Sequence, residues 1–403
     1  MEKDPAMQIQ DYWVFGEYGG VNPSIEDAST FTFLSAEKMQ ELFQHEVEGC
    51  FLYSRHLNPT VHYLAQSLAL LEGTEYAQIT ASGMAAISCA ILEICSAGDE
   101  IISSRTIYGG TYALFKNFFP KFNIVTKFVN ILDIDAIRKK ITPKTKILYT
   151  ESLSNPLLEV ADIPSLSQLA KEYNLTLIVD NTFSPMIMQP YKLGADIVVH
   201  SLTKFINGAS DCVGGAICAK HDFITSLKDV HNGAAMLLGP TMDSIRAAGI
   251  LKNLHTLHIR IKQHSKNAQF IAEKFKELGF RVFYPGLSSH PQHELMKKLM
   301  NKEYGFGGMV TFDCKTPENA NALMLKMQEN KVGYFAVSLG FYKTLFSAPG
   351  LSTSSEIPPE EQEQIGLSPG LVRMSVGLDN HIEETWERIV KSIKEVCPNM
   401  LPN

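Results

Sequence analysis

The decisive stretch is Ala195-Asp196-Ile197-Val198-Val199-His200-Ser201-Leu202-Thr203-Lys204. Its first part is an apolar, β-branched run of strand length, and it delivers one lysine, beside two hydroxyls, to the end of that strand. A second run of the same kind, Leu175-Thr176-Leu177-Ile178-Val179, ends in Asp180, 24 positions before the lysine. In open α/β sheets ligands bind outside the carboxyl ends of the strands, so the acid and the amine are expected to face one crevice. An amine able to form a Schiff base, and a carboxylate able to keep a pyridine nitrogen protonated, are the two groups that pyridoxal phosphate requires. The pair therefore predicts a site for that cofactor.

Outward from this pair, short strand-like segments recur between about 60 and 250: Ile101-Ile102-Ser103, Ile124-Val125-Thr126, Ile147-Leu148-Tyr149, Leu177-Ile178-Val179, Ile197-Val198-Val199 and Gly215-Ala216-Ile217. Helical patterns separate them, which predicts a largely parallel, doubly wound α/β sheet. A long helical pattern at 243–278 leads into a second part. Strands are expected there at Arg281-Val282-Phe283, Met309-Val310-Thr311-Phe312, Tyr334-Phe335-Ala336-Val337 and Leu371-Val372-Arg373-Met374, with helices at 317–329 and 382–396. The expected organisation is an arm over 1–58, a large domain over 59–255 and a smaller C-terminal α/β domain over 256–403. The stretch at 347–369, rich in Ser, Pro, Gly and Glu, reads as a mobile lid.

With 403 residues, 45% hydrophobic and 20% charged, the chain has a globular composition and room for two or three domains. A net charge of −7 with one short basic cluster, Arg138-Lys139-Lys140, argues against nucleic-acid binding. The uncharged stretch at 77–92 carries Ser, Thr and Gly and stops at Glu93, short of the roughly 18 apolar residues of a membrane span. No membrane contact is expected. Residues 1–5 lack the cationic start and apolar core of a secretion signal, so a cytoplasmic location is the expectation. Seven cysteines without CxxC or CxxxC spacing suggest neither a disulfide framework nor a metal site, and read as buried, reduced thiols.

Other residues fit the same crevice. Thr80-Ala81-Ser82-Gly83-Met84-Ala85-Ala86 is a small-residue turn entering a helix, where free N–H groups and the positive dipole end can hold a phosphate and a glycine lets the backbone come close. Taken alone, it also fits a plain helix cap. Tyr108 opens the helix after the strand at 101–103 and suits either stacking on a ring or packing in the core. Asp180 alone would pass for a cap, and Asn155-Pro156 for a turn. Ser201-Leu202-Thr203-Lys204 also matches the S-x-x-K of serine acyl-transfer enzymes. Against that, the chain has no Lys-Thr-Gly and no Ser-Asp-Asn, and no G-x-G-x-x-G or G-x-x-x-x-G-K-[ST] supports a nucleotide site.

Seven motifs in order carry a resemblance: Tyr53-Ser54-Arg55 with Asn58-Pro59-Thr60, Ser82-Gly83-Met84, Tyr108-Gly109-Gly110-Thr111, Asn155-Pro156, Val179-Asp180-Asn181-Thr182-Phe183, Ser201-Leu202-Thr203-Lys204-Phe205 and Arg373-Met374-Ser375-Val376-Gly377. Through them the chain resembles the cysteine/methionine-metabolism family of pyridoxal-phosphate enzymes, which includes the cystathionine lyases and synthases and methionine γ-lyase. Leu238-Gly239-Pro240-Thr241-Met242, Tyr284-Pro285-Gly286-Leu287, His290-Pro291-Gln292-His293 and Ser352-Thr353-Ser354-Ser355-Glu356 resemble its plant-type methionine γ-lyase branch.

The resemblance implies the fold type I of pyridoxal-phosphate-dependent transferases, as in aspartate aminotransferase, and a homotetramer built as a dimer of dimers with shared active sites. It implies Lys204 as the Schiff-base lysine and base for the α-proton, and Asp180 as partner of the pyridinium nitrogen. Tyr108 would stack on the ring and pass a proton to the departing sulfur. Ser82, Gly83, Met84, Ser201 and Thr203 would hold the phosphate, joined by Tyr53 and Arg55 from a neighbouring subunit. Asn155 would lie by the ring oxygen. Arg373 would take the substrate's α-carboxylate, where its planar fork allows two parallel hydrogen bonds, and Ser338 would lie on the substrate side.

The implied reaction is γ-elimination of L-methionine to methanethiol, 2-oxobutanoate and ammonia. Cystathionine γ-lyase and O-acetylhomoserine sulfhydrylase are the enzymatic alternatives, and a catalytically silent cofactor-binding protein is a third. Intact Lys204, Asp180, Tyr108 and Arg373 argue against the silent protein. Gly110 stands where many bacterial methionine γ-lyases carry a cysteine. Lys343 stands where relatives carry a glutamate associated with the distal end of cystathionine; a cation there would oppose that substrate's distal ammonium.

Overall fold

In the computed structural model, β5 (Thr176–Asp180) and β6 (Ile197–Ser201) lie side by side and parallel, with Asp180 level with Val199. The structure describes residues 3–33, 35–44, 47, 49–351, 360, 362 and 366–400. The remaining strands of the same sheet are β1 (Tyr76–Thr80), β2 (Glu100–Ser104), β3 (Val125–Val129), β4 (Thr145–Glu151) and β7 (Gly215–Ala219). The order is β1-β7-β6-β5-β4-β2-β3, with β2 to β6 parallel and β7 antiparallel to both its neighbours.

The apolar strand runs follow from burial on both faces. Leu148, Leu177, Val179 and Val198 enter one core, while Ile147, Tyr149, Ile178, Ile197 and Val199 enter the other. A strand covered on both sides reads as continuous Val/Ile/Leu, and each such side chain contributes about 1.5–3 kcal/mol by leaving water. The covering helices have readable starts. Asn58 accepts from the N–H groups of Thr60 and Val61 to begin Pro59–Glu72, and Ser82 accepts from Ala85 N–H to begin Gly83–Ile94.

The second sheet contains β8 (Arg281–Phe283), β9 (Met309–Asp313), β10 (Gly333–Phe335), β11 (Thr344–Ser347) and β12 (Leu371–Ser375), in the order β10-β11-β12-β9-β8. It is antiparallel except between β10 and β11, and a separate core joins it to the helices Pro317–Glu329 and Ile382–Val396.

Three sequence expectations change. Two strands, β1 and β11, were not expected: Ala77 and Gln78 are weak strand formers in the middle of β1, which is held by its five-residue pairing with β7, and the four-residue β11 is held between β10 and β12. The helical pattern at 243–278 is two helices, Ser244–Leu254 and Leu257–Glu277. At the break the Arg260 guanidinium donates to the carbonyl oxygens of Asn253, Phe205 and Ile206, so the interruption ties the long helix to the turn that follows Lys204. The middle of the expected lid at 347–369, namely 352–359, 361 and 363–365, lies outside the described residues, and with it all of Ser352-Thr353-Ser354-Ser355-Glu356. Among the described residues no helix is long and apolar enough to cross a membrane.

Candidate active site

The parallel strands end at one edge of the large sheet, and that edge opens into a cavity of about 310 Å³. Among the residues lining it are Ser82, Gly83, Met84, Tyr108, Asn155, Asp180, Ser201, Thr203, Lys204 and Arg373. Ten of the residues singled out in the sequence thus converge, although up to 291 positions separate them along the chain. A larger groove of about 460 Å³ lies against Ala6, Ile9, Trp13 and Phe15; its described lining has histidines but no carboxylate, amine or guanidinium.

Lys204 is mostly buried, and its Nζ donates to Ser338 Oγ at 3.2 Å. Loss of water, aided by the positive Arg373, lowers its pKa to about 8. A lysine so placed carries a useful fraction of neutral amine near pH 7, which an exposed lysine does not. Asp180 accepts the Thr182 N–H at 2.9 Å through Oδ1. Burial raises its pKa, while Thr182 and the charge of His200 work in the opposite direction. A cation bound against it would restore the anion.

At the start of helix Gly83–Ile94, the backbone approaches β6 so closely that a Cβ on Gly83 would lie 2.8 Å from Ser201 Cβ. No other residue type permits that approach. Ser201 N–H donates to Thr182 Oγ1 at 2.8 Å, and Thr203 Oγ1 accepts from Gly214 N–H at 3.0 Å, which fixes the turn carrying Lys204. The N–H groups at the start of helix Gly83–Ile94, with the Ser201 and Thr203 hydroxyls on the facing turn, suit an anion seat.

Arg373 sits in mid-strand on β12, between Thr311 of β9 and Ser347 of β11, and is only 2% exposed. Burial lowers its pKa to about 10, so it stays charged at physiological pH. Its Nη1 donates to Asn155 Oδ1 at 3.0 Å. Tyr108 is partly exposed at the cavity wall. A Cβ on Gly110 would stand 2.5 Å from its Cε1, so a cysteine at that position would have to displace the ring.

Tyr53 and Arg55 are not among the residues lining the cavity of their own chain. Arg55 Nη1 donates to Met236 O at 2.7 Å, and its guanidinium lies 5.9 Å from the Tyr53 ring centre. Ser338 reaches the site only through Lys204, while its neighbours Val337 and Leu339 line the wall. The expectation for Lys343 needs correction. It does not line the cavity, and its Nζ pairs with Asp379 Oδ1 at 3.3 Å, so its charge is engaged locally and is not aimed at a substrate.

Sequence reading missed Glu151 and the wall residues Leu153, Val213 and Leu339, and gave no role to Thr182 and Phe183, which it met only as part of a motif. Glu151 carried a signal of the same kind as Asp180, an acid closing a buried strand. The two carboxyl groups are level in the β4–β5 ladder. Burial, then the neighbouring Asp180, pushes Glu151 well above the usual carboxylate range, against the pull of the Tyr108 and Asn155 N–H groups and of Arg373.

An amine, a buried acid, an anion seat and a guanidinium around one cavity at the strand ends of an α/β sheet define a pyridoxal-phosphate site, and the residues present fit that group. The chain belongs to the Cys/Met-metabolism family of PLP-dependent enzymes, whose model matches residues 10–390. It is 46% identical to methionine gamma-lyase of Arabidopsis thaliana over 97% of this chain and 90% of that protein. It is 38% identical to L-methionine gamma-lyase of Fusobacterium nucleatum over 90% and 91% of the two chains. Among solved structures, a putative O-acetylhomoserine (thiol)-lyase from Campylobacter jejuni superposes with a TM-score of 0.89 at 29% identity, covering 97% of this chain and all of that one. That structure carries N'-pyridoxyl-lysine-5'-monophosphate.

Proposed function

We propose that this enzyme is a methionine γ-lyase, cleaving the Cγ–S bond of L-methionine to give methanethiol, 2-oxobutanoate and ammonia. One observation carries the choice of substrate: beyond the charged groups and the polar residues already described, the cavity wall is formed by Ile87, Leu153, Phe183, Val213, Val337 and Leu339, with Lys343 turned away to Asp379. An uncharged thioether suits that wall; a distal ammonium would lose its water there without a partner. The likeness to the Arabidopsis and Fusobacterium enzymes supports the same reading.

We assign Lys204 as the cofactor's covalent anchor and as the base that takes the α-proton, Asp180 as the acid beside the ring nitrogen, and Ser82, Gly83, Met84, Ser201 and Thr203 as the phosphate seat; their convergence on one cavity supports this. Bound pyridoxal phosphate supplies an electron-poor ring that takes up the electron pair left at the α-carbon. Arg373 holds the α-carboxylate through two parallel bonds and remains charged while doing so. Asn155 orients that guanidinium and lies beside the ring oxygen. Lys204, once free, holds the proton that it removes, with Ser338 Oγ as the resting partner of its amine. Tyr108 stacks on the ring and delivers a proton to the departing sulfur.

Because Tyr53 and Arg55 stay outside their own chain's cavity, we place them at the phosphate of a neighbouring subunit, on an arm spanning 1–58, in a homotetramer. A monomeric mass by light scattering would sink that assignment. The seven free cysteines accord with a reducing, cytoplasmic setting.

The test is product release from methionine, cystathionine and homocysteine, alongside sulfide-dependent thiol formation from O-acetylhomoserine. Methionine is expected to yield methanethiol and 2-oxobutanoate in equal amounts. If neither product forms while another substrate turns over, methionine is not the substrate.

A further inference from the structure

Glu151 closes β4 directly beside Asp180 and is 7% exposed. Both of its oxygens are engaged. Oε1 accepts the backbone N–H of Tyr108 at 2.7 Å, and Oε2 accepts the backbone N–H of Asn155 at 2.9 Å. Asn155 in turn accepts from Arg373 Nη1 through its side chain at 3.0 Å. One carboxylate therefore spans two chain segments 47 positions apart, from the residue before helix Gly109–Ala113 to the loop that meets the small sheet.

Resting on the proposed function, we infer that Glu151 is a positioning residue: it fixes Tyr108 and, through Asn155, Arg373 in one frame, and thereby sets how tightly the substrate's α-carboxylate is held. Two features separate this role from its rivals. With a backbone N–H on each oxygen, Glu151 is held by the frame on both sides and is not free to swing toward a substrate proton as a base would. Asp180 already supplies an acid level with it on the neighbouring strand, so a second anion is not required for charge alone.

Glu151→Gln keeps the size of the side chain but turns one acceptor into an NH₂ that meets an N–H donor, breaking one half of the bridge. Glu151→Asp keeps the carboxyl group but, one methylene shorter, loses the span. The readout is the binding of L-alanine, followed by the change it causes in the cofactor's visible absorbance. Alanine has the α-carboxylate but no γ-substituent, so the result does not depend on which sulfur compound the enzyme cleaves.

Both variants are expected to keep the visible band of bound cofactor and to bind alanine roughly tenfold more weakly, the size of one lost buried hydrogen bond. In an Arg373→Lys background the same change should cost clearly less, because the bridge no longer ends on a fork. Alanine affinity within twofold of wild type, a loss in Gln but not in Asp, or losses that simply multiply with Arg373→Lys would each overturn the assignment. Should the Gln variant not fold, the Asp variant alone carries the affinity and background tests.

Discussion

The two sheets meet the same cavity in different ways. The seven-stranded sheet offers strand ends: Asp180, Glu151, Ser201 and the turn to Lys204, all at one edge where side chains and free backbone groups point out of the ladder. The five-stranded sheet offers Arg373 from the middle of a strand, enclosed by neighbours on both sides. Burial lowers both cations, Lys204 to about 8 and Arg373 to about 10. The outcomes diverge because an amine at 8 can become neutral near physiological pH, whereas a delocalised guanidinium at 10 cannot. The same loss of water therefore makes a base on one side and a permanent carboxylate clamp on the other.

The strongest way to break this division is Lys204→Ala. Methionine elimination should fall by about a thousandfold or more, since both the covalent anchor and the base are gone; residual turnover near wild type would place the chemistry elsewhere. Arg373→Ala should leave the cofactor's visible band in place while KM for methionine rises by roughly ten- to a hundredfold, as expected for a lost charge-assisted bond. A variant that instead loses cofactor, with KM unchanged, would reverse the roles of the two sheets.

Next comes a pH dependence. In cofactor-free enzyme, capture of pyridoxal phosphate requires neutral Lys204. Because burial lowers this pKa, the amine is protonated below about 8 and free above it. The capture rate, followed by visible absorbance, should rise roughly tenfold from pH 7 to a plateau above pH 9. Removing the positive charge of Arg373 takes away one cause of the lowering, so the midpoint should move upward in Arg373→Ala; a midpoint unmoved would uncouple the two cations. The smallest effect belongs to Lys343→Met. Its ion pair with Asp379 is partly exposed, so stability should drop by about 1 kcal/mol or less and KM for methionine by no more than about twofold either way. A large change in KM would return Lys343 to the substrate.

Much of this was legible in the chain. Strand runs ending in Asp180 and at His200-Ser201 announced a sheet buried on both faces, and Ser82-Gly83 announced a helix start at its edge, because local pattern and capping are properties of neighbouring residues. Glu151 was not recovered, since an acid at a strand end gains meaning only from what its two oxygens touch. Lys343 was given a role that its partner removes: sequence shows a charge, but only packing shows where the charge is spent. The edge strand β1 was missed because it is a strand by virtue of pairing with β7, whose Ala219 lies opposite Tyr76 from 143 positions further along the chain.

By itself, the sequence determined the class of protein: an alternating α/β chain with a lysine, an acid, a phosphate turn and an arginine in a recognisable order, all encoded in stretches of a few residues. Tertiary structure alone decided that Arg373 reaches the large sheet's edge, that Glu151 ties it to Tyr108, and that Lys204 loses enough water to act as a base. Those are consequences of distance and burial between segments far apart in the chain, and no local pattern contains them.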